Sequence, residues 1–64
     1  MSYSKFFREN AGKSITVVMN DGERLSGTLN GYISAADNDP EPESIIVNYV
    51  ELYTNEIADV SVAQ

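Results

Sequence analysis

The chain has 64 residues, with ten acidic and four basic side chains and neither histidine nor cysteine. A domain of that length holds one small core and is marginal unless a disulfide, a metal or a partner chain supports it. The composition excludes a disulfide, a thiolate metal site and the commonest general base, so a partner chain is the support that remains.

Residues 2–11 read as a short helix. Ser4, with Ser2 as the alternative, is placed to cap its start. Tyr3 and Phe7 share a face at i, i+4 with Phe6 and Ala11 beside it, and Gly12 follows where a C-terminal glycine ends a helix. About ten residues do not make a stable isolated helix, so the phenylalanines must dock, most simply on a sheet. Lys5 and Arg8 are left toward solvent.

Residues 14–20 are rich in β-branched side chains, and Ile15, Val17 and Met19 alternate onto one face. Asp21-Gly22 is the strongest hairpin signal in the chain and predicts a two-residue turn with both residues at positive φ. On the return strand Leu25, Gly27, Leu29, Gly31 and Ile33 share a face. The two glycines there predict a sharp bend or a close backbone approach. A third strand is expected at about 33–37. Residues 37–43, Asp-Asn-Asp-Pro-Glu-Pro-Glu, form a loop by composition, and its acids are read as solvated.

Residues 44–53 read as one strand that is apolar on both faces. Ile45, Val47 and Tyr49 point one way; Ile46, Val50 and Leu52 point the other. So small a chain cannot cover both, and the expectation is a subunit interface formed by these six residues with Ile57 and Val60 of the last strand. The alternative splits 44–53 into two strands at Asn48 and sets the acidic loop before the third strand. A turn at Thr54-Asn55 leads to the last strand, Ile57 to Val62.

Two motifs carry a resemblance. Gly12-Lys13, then Ile15, Val17, Met19, Asp21-Gly22, Leu25 and Gly27-Thr28-Leu29, resemble the first motif of the Sm/LSm family. Leu52-Tyr53-Thr54-Asn55-Glu56-Ile57 resembles the second motif in its Hfq-like form. The resemblance spans nearly the whole chain. It implies a single mostly β domain over 1–64, in which a short helix precedes a five-stranded, strongly bent antiparallel sheet forming a small barrel, with strands over 14–62. It also implies a ring in which the fourth strand of one copy pairs with the fifth of the next. The family's loop Asp, base-stacking residue and base-reading Asn fall here on Ile33, Ala35 and Asp37, with Asn38 adjacent, and its second-motif Arg-Gly falls on Tyr53-Thr54, or the Hfq-like Lys-His on Thr54-Asn55. The uridine pocket is therefore not matched.

Function is expected to follow assembly. The leading expectation is a homo-oligomeric ring that binds single-stranded RNA or DNA through Lys5, Arg8 and Lys13 on the helix side and through Asn38, Tyr53, Thr54 and Asn55 near a pore. The charge distribution supplies the rival. Residues 1–24 sum to +1, whereas residues 25–64 carry seven acids and no base, and phosphate binding rests on cations. The rival is an interaction ring whose acidic surface repels nucleic acid. No cofactor, metal or catalytic residue is expected, because no base partners the serines and no carboxylate pair sits in an apolar run. No apolar run approaches the ~20 residues of a membrane span and the N-terminus does not read as a signal peptide, so no membrane contact and a soluble, cytoplasmic protein are expected.

Overall fold

A computed structural model describes residues 2–63. The elements are α1 (Tyr3–Asn10), β1 (Ser14–Met19), β2 (Arg24–Ile33), α2 (Ala35–Asn38), β3 (Ser44–Val47), β4 (Val50–Tyr53), a 3₁₀ turn (Thr54–Glu56) and β5 (Ile57–Val62). The expected mostly β architecture is present: a short N-terminal helix and one five-stranded antiparallel sheet, in the order β4-β3-β2-β1-β5.

The long strand β2 organises the sheet. Its first half, Arg24–Thr28, pairs with β1, and its second half, from Leu29 to Ile33, pairs with β3. Every strand contributes to one core: Ile15 and Val17 from β1, Leu29 from β2, Ile45 and Val47 from β3, Leu52 from β4, and Ile57 and Val60 from β5. Burying such a side chain contributes roughly 1.5–3 kcal/mol relative to leaving it exposed. Tyr3, Phe6 and Phe7 of α1 close the core from one side, and Phe7 stacks on Tyr32 with ring centroids 6.2 Å apart. Past the helix, Gly12 takes a positive φ of 84°. The backbone then bonds to Leu29 through Gly12 N–H to Leu29 O and Leu29 N–H to Lys13 O, each at 2.9 Å.

Several local expectations are corrected. Ser2, not Ser4, caps α1; its hydroxyl accepts from Lys5 N–H at 3.2 Å. Starting the helix at Tyr3 brings Tyr3, Phe6 and Phe7 onto the core together at i, i+3 and i+4, whereas a cap at Ser4 would leave Tyr3 outside the helix. Between Met19 and Glu23, which close the first hairpin through Met19 N–H donating to Glu23 O at 2.8 Å, the turn has three residues, Asn20-Asp21-Gly22, with Gly22 N–H donating to Met19 O at 2.9 Å. Of the three, Gly22 alone has a positive φ, 92°, as in a turn closed by a glycine bulge. Asp21 acts through its side chain, which accepts from Glu23 N–H at 2.9 Å.

No separate strand forms at 33–37, where Ile33 is the last residue of β2. Ser34 instead caps the helical turn α2 by accepting from Asp37 N–H at 3.2 Å. The register also shifts between Leu29 and Gly31, leaving Asn30 as the extra residue on β2. Such a bulge inverts the alternation that follows it. Tyr32, expected on the outer face, lies opposite Ile45 and packs against the core.

The largest correction concerns 44–53. It is two strands, β3 and β4, joined by a two-residue turn at Asn48 (φ 49°) and Tyr49 (φ 65°), and the acidic loop precedes β3. Folding the segment back on itself places Ile45 opposite Leu52 and Val47 opposite Val50, so these four share a face. The residues expected at a subunit interface therefore divide. Ile45, Val47, Leu52, Ile57 and Val60 are buried in the chain's own core. Ile46 is half-buried, while Tyr49 and Val50 are 88% and 56% exposed.

Candidate interaction surface

Neither turn residue between β3 and β4 is glycine, and positive φ costs an L-residue about 1–2 kcal/mol. Contacts made elsewhere hold the turn. Asn48 N–H donates to Thr28 O at 2.9 Å. The Asn48 side-chain oxygen accepts from Thr28 N–H at 2.9 Å, and its amide donates to Ser26 O at 3.5 Å. Tyr49 N–H donates to the Asn30 side-chain oxygen at 2.8 Å. A Cβ at Gly27 would collide with the Asn48 amide, so Gly27 is the gap through which Asn48 reaches β2. This is the close approach that a strand glycine predicts.

At the other end of β3 and β4 two acids act as staples. The Glu43 carboxylate accepts from the Tyr32 hydroxyl and, at 2.9 Å, from the Thr54 hydroxyl; Glu43 O accepts from Thr54 N–H at 2.9 Å. The Glu51 carboxylate accepts from the buried Ser44 hydroxyl at 2.7 Å and from the Asn38 amide at 3.1 Å. Glu43 is thus a structural group rather than a solvated loop acid. Tyrosine ionisation is disfavoured here. The Tyr32 phenol is raised above its usual 10.0 first by its hydrogen bond to Glu43 and then by burial. The Tyr53 phenol is raised first by burial and then by the charges of Glu41 and Glu51. For Tyr3, burial leads and Glu43 and Asp59 follow.

These contacts settle where the residues expected at a nucleic-acid site lie. Asn38 has its amide committed to Pro42 O at 2.8 Å and to Glu51. Thr54 is bound to Glu43, and Tyr53 is half-buried among carboxylates. Asn55 is exposed, and its carbonyl accepts from the Asn20 amide at 3.0 Å. The structure brings Asn38, Tyr53 and Thr54 together, but within an acidic network. Lys5, Arg8 and Lys13 are exposed on and just after α1, and Lys13 Nζ donates to the Asn10 side chain at 3.4 Å.

A second feature lies between β2 and β4. Two adjoining clefts share Leu25 and Leu52. The larger, about 400 Å³, has Met19, Leu25 and Leu52 as its apolar lining and Asp21, Glu23 and Glu56 around them. The smaller, about 160 Å³, is lined by Leu25, Val47, Val50 and Leu52 with Ser26 and Asn48. Val50 shares the core face but sits at this mouth, which explains its exposure. Alternation along the sequence does not reveal the groove, because Leu25 reads as an inner-face residue of β2 and Val50 as part of a subunit interface. The one signal for it was the surplus of apolar residues at 44–53.

No family model, curated protein or solved structure matches the chain. Among the described residues no helix is long and apolar enough to cross a membrane.

Proposed function

We propose that this chain is an Sm-like, non-enzymatic assembly module of the cytoplasm. Copies join through the outer edges of β4 and β5, and the assembled surface works by contacting protein rather than by binding nucleic acid. The observation that carries this reading is the state of Asn38, Tyr53 and Thr54, whose polar atoms are committed to or crowded by Glu41, Glu43 and Glu51. Phosphate brought there meets carboxylates instead of the cations that drive such binding. The edges support the assembly half: β4 and β5 end the strand order, and unpaired strand edges are templates for another chain. The apolar surplus at 44–53 no longer supports it, because most of those side chains fill the chain's own core.

Exposed Lys5, Arg8 and Lys13 favour the second reading, a ring that binds single-stranded RNA or DNA on its helix side. Titration with oligo-U, oligo-A and single-stranded DNA at low salt separates the two. The protein-contact reading expects no binding. Salt-sensitive binding that Lys5→Ala with Arg8→Ala abolishes would replace it with the second. A native mass spectrum tests assembly, and a folded monomer at every concentration would overturn that half.

A further inference from the structure

We infer that the groove between β2 and β4 receives a lysine or arginine side chain carried on an extended segment of a different, basic protein. This rests on the protein-contact reading and gives it a place and a chemistry.

The groove joins two demands that one type of side chain meets. Its floor of Met19, Leu25 and Leu52 is apolar and suits the methylene stem of a lysine or arginine. Its mouth carries the carboxylates of Asp21, Glu23 and Glu56, all on exposed residues, which suit the cationic head. The adjoining cleft, lined by Val47, Leu52 and, at its mouth, Val50, takes a small apolar side chain. The two clefts share Leu25 and Leu52, so their occupants are neighbours on one face. In extended backbone those are residues two apart. The pattern is a basic residue and a β-branched residue with one position between them.

Charge excludes the other occupants. Nucleic acid would set phosphates against three carboxylates. A second copy does not present the required segment: of its four bases only Lys13 has a β-branched residue two positions away, and that residue, Ile15, is fully buried. Lys5 and Arg8 lie on α1, Lys13 lies at the helix–strand junction bonded to β2, and Arg24 is paired with Val18 of β1. Among the described residues, no group of His, Cys, Asp and Glu is placed to hold a metal ion.

The test uses the full chain in its native oligomeric state and a fluorescein-labelled peptide, Ser-Thr-Val-Thr-Lys-Thr-Ser, followed by fluorescence anisotropy at low salt. A second peptide carries glutamate in place of lysine. The lysine peptide is expected to bind with salt-sensitive affinity, and the glutamate peptide is not. Glu23→Gln with Glu56→Gln is expected to weaken the lysine peptide by about fivefold to tenfold. Asp37→Asn with Asp39→Asn, which removes the same charge from the α2 region, is expected to leave it unchanged. Amide resonances of Asn20, Leu25 and Val50 are expected to shift on titration. Equal affinity for the two peptides, an equal loss in both charge variants, shifts confined elsewhere, or no binding would each overturn the inference. A monomeric mass spectrum or oligonucleotide binding overturns the broader reading instead, and neither alters this titration.

Discussion

The β1–β2 connection and the β3–β4 turn each reverse the chain, by opposite means. The first is solved locally: Gly22 supplies the positive φ, and Asp21 binds the backbone two residues on. A Cβ at Gly22 would meet nothing within 4 Å. The second breaks the local rules. Asn48 tolerates positive φ, but Tyr49 is an aromatic residue in a conformation that side chains of its kind rarely adopt. Its stability comes from β2, some twenty residues away, through Gly27, Thr28 and Asn30. A turn made by its own residues and a turn imposed by its surroundings respond differently to mutation.

The largest effect is expected at Gly27. Gly27→Ala expels the Asn48 amide and with it the bond to Thr28 N–H, at a cost of about 2–3 kcal/mol by urea denaturation. Because the same amide is lost in Asn48→Ala, the double variant should cost clearly less than the sum of the singles; strict additivity would show that the two sites are not coupled. Gly22→Ala is the matching change in the local turn. It meets only backbone strain and should cost about 1 kcal/mol. If it cost as much as Gly27→Ala, the contrast between the turns would fail.

Smaller again is Tyr49→Gly. The ring is exposed, so little packing is lost, and relief of the positive φ should stabilise the chain by about 0.5–1 kcal/mol. Destabilisation would mean that the ring makes contacts that hold the turn. The smallest effect is set by pH. Tyr3, Tyr32 and Tyr53 all have phenols raised above 10.0 in the folded chain. The stability they contribute is complete below pH 10 and is lost as pH rises through the raised values. Denaturant midpoints should therefore fall in that alkaline window, and Tyr32→Phe should shallow the fall. An unchanged slope would remove Glu43 as the cause.

The same contrast explains what was legible in the sequence. Asp21-Gly22, the alternation of Ile15, Val17 and Met19, the aromatic face of α1 and the last strand all follow from neighbours in the chain, and each element formed at its expected place, although the hairpin turn has Gly22 alone at positive φ and α1 is capped by Ser2. The split at Asn48 was available only as an alternative, because Asn-Tyr carries no turn signal strong enough to interrupt an apolar run. The missing term was the identity of the group that enters the gap at Gly27, the Asn48 amide. The bulge at Asn30 was hidden for the same reason, and it carried Tyr32 across the sheet. Glu43 and Glu51 read as solvated or ordinary acids because Tyr32, Thr54, Ser44 and Asn38 are separated from them in sequence and meet them only after folding.

The gap at Gly27 also reaches beyond one molecule. A side chain at position 27 and an amide reaching across from position 48 exclude each other, so any change at 27 is felt at 48. A side chain at 27 therefore requires a shorter residue at 48, twenty-one positions on, whereas a shorter residue at 48 leaves glycine free to stay. The glycine–asparagine pairing, tied to an Asp-Gly hairpin shortly before it, is a signature by which distant kin could be recognised where overall similarity has faded.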